Sequence, residues 1–317
     1  MSSPDLSIVI PIYNEAAVLE ELLKRLRAAL APLDLDWEVL FVDDGSQDGS
    51  WAVLERLAAE DSRVRALGLS RNFGHQRAIS AGLEWARGRA VVVMDGDLQD
   101  PPELIPELLR RWQQGYEVVY AVRTRRREPW LMRTAYRIFY RLLSALAEVE
   151  IPLDAGDFGL IDRRVLEVMR RMPERSRFVR GLRSWSGFRQ IGVPYERAAR
   201  ARGRSKYSWG KLLRLALDGL LAFSSAPLRL ATWMGFFVSS ISFVGIVLYL
   251  YRYFTTPRVP GFTTLIIALL FLGGIQLITI GIIGEYIGRI YEEVKQRPLY
   301  VVYRTLNLDP PPGASLS

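Results

Sequence analysis

Between Leu230 and Tyr251 the chain carries no charged residue, and a second uncharged run extends from Val259 to Gly284 after a short link containing YFTTPRVPG. At about 1.5 Å of rise per residue the first run makes a helix ~33 Å long, enough to cross the ~30 Å hydrocarbon core of a bilayer. The pair predicts a transmembrane hairpin, about 230–251 and 259–284, inside a membrane unit of 227–288. A buried helical pair of a soluble protein would need a surrounding core that the residues after Gly284 cannot supply. Lys206, Lys211, Arg214 and Arg229 precede the first span and Arg289, Lys295, Arg297 and Arg304 follow the second, against Arg252 and Arg258 in the link. That asymmetry predicts a multi-pass protein of the plasma (inner) membrane, with its leading domain and both termini cytoplasmic. Residues 289–317 are expected to form a cytoplasmic tail, ending in the Pro-rich, polar and disorder-prone DPPPGASLS. The opening MSSPDLSIVIPIYNE has neither a basic leader nor a cleavage site and does not read as a signal peptide.

With 317 residues, 50% of them hydrophobic, the chain has material for one full domain ahead of the hairpin. It contains no cysteine and a single histidine, which excludes disulfides, thiolate catalysis and a His- or Cys-based zinc centre. Any metal must be held by oxygen. The formal net charge of +8 suits an anionic membrane surface, a phosphorylated substrate or nucleic acid. A nucleic-acid role leaves the hairpin without a purpose.

The first 125 residues alternate between two periods. LSIVIPIY, WEVLFVD, VRALGL, AVVVMD and EVVYAV read as strands. Helical patterns separate them, such as AAVLEELLKRLRAAL, where Val18, Leu19, Leu22, Leu23, Leu26 and Leu30 share one face. This order predicts an α/β fold, a Rossmann-like, doubly wound and mostly parallel sheet, within a domain of residues 1–226. No G-x-G-x-x-G or G-x-x-x-x-G-K-[ST] is present, which disfavours a dinucleotide or P-loop site. The strand ends instead carry PIYNE, VDDGSQDGS and MDGDLQDPPE. In open sheets this edge is where ligands bind, so acids placed directly behind the buried run AVVVM mark a candidate site.

Those three motifs, in that order and spacing, resemble the family 2 glycosyltransferases of GT-A fold, and most closely the polyprenyl-phosphate glycosyltransferases, including dolichyl-phosphate mannosyl synthases and bacterial undecaprenyl-phosphate glucosyltransferases. Arg123 after the fifth strand, DAGDFGLIDRRV at 154–165, RARGRSKYS at 200–208 and the hairpin extend the resemblance over nearly the whole chain. The Q-x-x-R-W motif of processive polysaccharide synthases is absent.

In an extended segment residues i and i+2 point the same way, so Asp95 and Asp97 can offer two carboxylates to one centre while Gly96 admits close backbone approach. That arrangement suits a Mg²⁺ or Mn²⁺ ion shared with the diphosphate of a nucleotide sugar. The resemblance places Gln99 beside the metal as well. Asp100 is expected to cap the helix that PPELIPELL begins. At the neighbouring strand ends Pro11 and Tyr13 can form an apolar wall for a base and Asp44 can accept from a base N–H; Glu15 and Val42 are counted with this nucleotide-sugar site, although Glu15 could instead cap its helix. His75 reads as a helix-start residue with no metal role.

A lipid phosphate, with a second pKa near ~6, is already mostly dianionic at neutral pH and needs positioning and charge shielding more than a strong base. The resemblance implies that Arg123, Arg133, Arg202 and Lys206 supply them, and that Asp157 is the catalytic residue, acting on a proton or orienting the sugar. Two stretches near 129–146 and 207–226 interleave Trp, Leu and Phe with Arg and Lys, the pattern of in-plane interfacial helices. The resemblance thus implies an inverting, metal-dependent transfer of one sugar from a nucleotide donor, with UDP-glucose favoured, to undecaprenyl phosphate. GDP-mannose or another UDP-sugar stays open as donor, and a non-catalytic membrane scaffold of the same fold is the reading from another class, against which Asp95, Asp97 and Gln99 speak. GEYIG at 284–288 could pack spans closely in a homo-oligomer.

Overall fold

In the computed structural model of the chain, which describes residues 3–123, 155–175, 177–196, 226–255 and 261–308, strand β1 (Leu6–Ile12) is buried along its whole length. Its alternation sends Leu6, Ile8, Ile10 and Ile12 into one apolar cluster and Val9 into another, so the sheet is covered on both faces. The other strands are β2 (Trp37–Asp43), β3 (Val64–Leu69), β4 (Ala90–Val93), β5 (Val118–Arg123), β6 (Ala155–Asp162), β7 (Gln190–Tyr195) and β8 (Val302–Leu306), in the order β7-β5-β6-β4-β1-β2-β3-β8. Helices α1 (Leu19–Leu30), α2 (Ser50–Glu60) and α4 (Ile105–Gln113) cover one face with Leu22, Leu26, Trp51, Leu54 and Leu108. On the other face lie α3 (His75–Trp85), α5 (Arg163–Arg171) and α6 (Val179–Trp185), contributing Ile79, Val165 and Leu182.

β1 pairs in parallel with β2 on one side and β4 on the other, so the direction of winding reverses there and the carboxyl ends of the three strands border one crevice. β6 runs antiparallel to β4, with Val93 opposite Gly159, which brings the beginning of β6 to that same edge. β8 runs antiparallel to β3 and closes an edge that would otherwise present unpaired N–H and C=O groups. This strand lies within 289–317, which the sequence reading treats as a tail; VYRTL is nonetheless the β-branched and aromatic composition that an edge strand takes.

Residues 3–123, 155–175, 177–196 and 297–308 make up one unit, and 226–255 with 261–296 a second. The second consists of two long helices, α7 (Ala226–Thr255) and α8 (Phe262–Val294). Among the described residues, Phe271–Val294 is long and apolar enough to cross a membrane and none of its most apolar window is buried; Ala231–Gly245 is a shorter apolar stretch. α8 thus runs past Gly284, where the sequence reading ends its second span. A Cβ at Gly284 or Gly288 of GEYIG would meet open space. The expected interfacial helices near 129–146 and 207–226 fall outside the described residues, Ala226 excepted.

Candidate active site

The loop after β1 turns at Asn14, whose φ of 58° lies in the left-handed region that Asn tolerates better than most residues. It is stitched to the loop after β2. Asn14 N–H donates to Ser46 Oγ at 2.9 Å, Asn14 Oδ1 accepts from Gln47 N–H at 2.8 Å, and Glu15 N–H donates to Ser50 Oγ at 3.1 Å. Asp43 Oδ1 accepts from Ser46 N–H at 2.9 Å and thereby holds the second loop at its root. Tyr13 is 46% exposed beside them. Pro11 and Val42, expected at the nucleotide, are both buried within their strands, so of the apolar wall only Tyr13 has exposed surface. Strand alternation is the reason: Val42 faces the second apolar cluster. The carboxylate of Asp44 accepts from Phe73 N–H at 2.7 Å and Gly74 N–H at 2.9 Å, and so secures the loop leading into α3. Burial nevertheless pushes its pKa up. Glu15 does not head α1, which begins at Leu19 after Val18 with no side-chain cap.

Behind β4, the backbone at Gly96 passes so close to the end of β1 that a Cβ would lie 2.8 Å from Ile12 Cγ2. Leu98 then adopts φ 61°, an unusual conformation for a bulky residue, while Asp97 Oδ1 accepts from Gln99 N–H at 3.1 Å. Asp100 is not the helix cap that was expected. The first turn, Pro102–Leu104, follows Pro101 and has no side-chain cap, and the two prolines remove N–H groups a cap would serve. Asp100 is instead buried, with one oxygen accepting from Tyr195 O–H at 2.9 Å and the other facing Asp95 N–H at 3.4 Å.

His75 opens α3, as expected of a helix-start residue, and it also bridges two acids: its Nε2 lies 3.5 Å from Asp95 Oδ1 and 3.4 Å from Asp157 Oδ2. Asp157 accepts further from Gln76 Nε2 at 3.0 Å and from both Nε and a terminal nitrogen of Arg180, at 2.8 and 3.2 Å. Burial would raise the Asp157 pKa, but His75 and Arg180 together hold it well below the ordinary carboxylate range. The His75 pKa is raised, since Asp157 and Asp95 outweigh its own burial. Asp95 has the opposite fate: burial first, then the repulsion of Asp100, Asp97 and Asp157, push it up to about 6. His75, Gln76 and Arg180 were absent from the sequence-level site. The one available signal was that a helix starting after β3 begins at the carboxyl edge.

The oxygen donors Asp95, Asp97 and Gln99 fit a hard divalent cation in kind, and the burial and neighbouring acids that raise Asp95 are what such a cation would offset. Among the described residues no three His, Cys, Asp or Glu side chains form a metal-holding group by themselves. Two carboxylates and an amide leave coordination positions for phosphate oxygens and water, in keeping with Mg²⁺ or Mn²⁺. Arg123 ends β5 at the same edge, its side chain outside the described residues along with Arg133, Arg202 and Lys206.

The family description "Glycosyl transferase family 2" matches residues 7–170, and "GtrB C-terminal hairpin" matches 226–290. The uncharacterized glycosyltransferase YkcC of Bacillus subtilis (strain 168) is 47% identical over 96% of this chain and 94% of that protein. The SfII prophage-derived bactoprenol glucosyl transferase of Shigella flexneri is 41% identical over 95% of this chain and 98% of its own length. The prophage bactoprenol glucosyl transferase homolog of Escherichia coli (strain K12) is 40% identical over 94% and 98%.

Proposed function

Because the chain belongs to glycosyl transferase family 2, we propose that it moves glucose from UDP-glucose to undecaprenyl phosphate at the cytoplasmic face of the membrane, with inversion. It is a glycosyltransferase with a GT-A-like α/β catalytic domain, and its relatives named for bactoprenol glucosylation align over nearly their whole length. The observation that carries the donor reading is the meeting of the β1, β2 and β4 ends at one edge, with Asp157 of β6 beside them.

The uridine would lie along the exposed ring of Tyr13, over the loops that Asp43 and Asp44 hold, with Glu15 at their border. Asp95, Asp97 and Gln99 would hold Mg²⁺ or Mn²⁺. When bound, the cation neutralises charge developing on the departing nucleoside diphosphate. Gly96 lets the diphosphate approach the backbone. Arg123, Arg133, Arg202 and Lys206 would orient the lipid phosphate and shield it from the donor's charge. Asp157, held as an anion by three side chains, is suited to fixing His75 and Arg180 against the sugar rather than to collecting a proton. α7 and α8 would form a membrane hairpin with both termini cytoplasmic, and the amphipathic stretches near 129–146 and 207–226 would seat the catalytic domain on the leaflet.

The test is transfer of radiolabel from UDP-glucose to undecaprenyl phosphate by membranes containing the full chain. Labelled lipid is expected from wild type and none in excess chelator, and Asp97→Asn, which keeps size but removes a charge, should lose about 10²-fold or more in turnover while retaining its fold. Label entering lipid from GDP-mannose instead would reassign the donor. Full activity of Asp97→Asn would remove the metal assignment.

A further inference from the structure

We infer that Arg304, on the strand that follows the second long helix, is a positioning residue for the donor site and acts through Asp43. The inference rests on the reading of the β1 and β2 loops as the donor site. Asp43, Gly68 and Arg304 stand in one row across β2, β3 and β8: Asp43 is opposite Gly68, and Gly68 opposite Arg304. The Arg304 side chain lies across Gly68, where a Cβ would sit 2.7 Å from its Cγ and 3.0 Å from its Nε. Only glycine leaves that passage open. The guanidinium stacks 4.0 Å from the centre of the Trp51 ring and reaches Asp43 Oδ2 at 3.7 Å.

Asp43 has 1% of its surface exposed, and a buried carboxylate without a nearby cation is costly. Its other oxygen accepts from Ser46 N–H, and Ser46 Oγ in turn accepts from Asn14 N–H beside Tyr13. Arg304 therefore keeps the Asp43 carboxylate aimed, and Asp43 keeps both loops of the donor site in register. Other contacts hold the same strap without touching this row. Asn307 Nδ2 donates to Ala58 O and Val64 O at 2.8 and 2.9 Å, and Tyr300 O–H donates to Glu84 at 2.5 Å.

The experiment measures binding of UDP with Mn²⁺ by calorimetry on the purified full chain in detergent, alongside separate donor and acceptor KM values. Arg304→Met should raise the UDP Kd and the donor KM about tenfold and leave the acceptor KM unchanged. Gly68→Ala, which displaces the arginine from the other side, should do the same. Arg304→Lys, keeping the charge, should return UDP affinity to within about threefold of wild type. Asn307→Ala, which weakens the strap away from Asp43, should bind UDP as wild type does. Wild-type affinity in Arg304→Met and Gly68→Ala, or an equal loss in Asn307→Ala, would overturn the positioning role. If Arg304→Met does not fold, Gly68→Ala and Arg304→Lys decide on the same criteria. A wild type that binds UDP only at millimolar concentration would overturn the donor reading itself, and the inference with it.

Discussion

Asp157 is a carboxylate already held by Gln76, Arg180 and His75, and its acidity follows from that company. Its folded-state pKa lies below the unfolded value, so its contribution to stability is fully present above about pH 4 and is lost as pH falls through the folded pKa. Asp157→Asn should therefore melt below wild type at pH 7, and the gap should close in more acidic buffer. Its turnover should drop about 10²-fold or more, and because Asp157 helps to raise the His75 and Asp95 pKa values, any limb of the pH profile that belongs to those groups should move to lower pH; an acid limb that disappears outright with the mutation would make Asp157 a titrating base. The position of the acids at 95 and 97, directly behind the buried strand β4, was legible in sequence, and they were singled out because a buried run ending in carboxylates has few structural uses. His75 and Arg180 were not, because their roles depend on a partner in β6, far away in the chain. Asp100 was misread for a related reason: its partner Tyr195 lies at the end of another strand, and nothing local distinguishes that bond from a cap.

Strands β1 to β5 start and stop within a residue or two of their apolar runs, since β-branched segments buried on both faces have a composition few other elements share. The antiparallel insertions β6 and β8 were harder to read. β6 begins with Ala-Gly-Asp, a polar and small start imposed by the site, and β8 is half exposed at an edge. α3 shows how an element transmits fit to the site. Gly82 lies so close to β1 that a Cβ would collide with Val9 Cγ1 and stand 3.1 Å from Val42 Cγ2. Gly82→Ala should cost about 1–3 kcal/mol, read as a lower Tm. Because the same helix carries His75 and Gln76 at its first turn, kcat should fall as well, whereas an alanine at the exposed Glu84 should leave kcat as it is.

For the molecule as a whole, the charge asymmetry around the two apolar runs makes a topological prediction. A reporter fused after Leu308 and one inserted at Thr256 should report opposite compartments, and the same compartment for both would remove the hairpin. The two long apolar helices were legible through absent charge, while the return of the chain into the sheet after Val294 was hidden, because a five-residue edge strand has no period long enough to stand out. That return has a consequence for how the protein is made. Synthesis proceeds from the N-terminus, so both long apolar helices leave the ribosome before β8 exists, and until then β3 is an open strand edge able to pair with another chain. A chain cut ahead of Ala226 would keep that open edge permanently and, although it contains the acids behind β4, should self-associate. Joining residue 225 to Arg297 through a flexible linker would supply the missing strand and, with detergent covering the amphipathic stretches near 129–146 and 207–226, should yield a catalytic unit that stays monomeric in sedimentation.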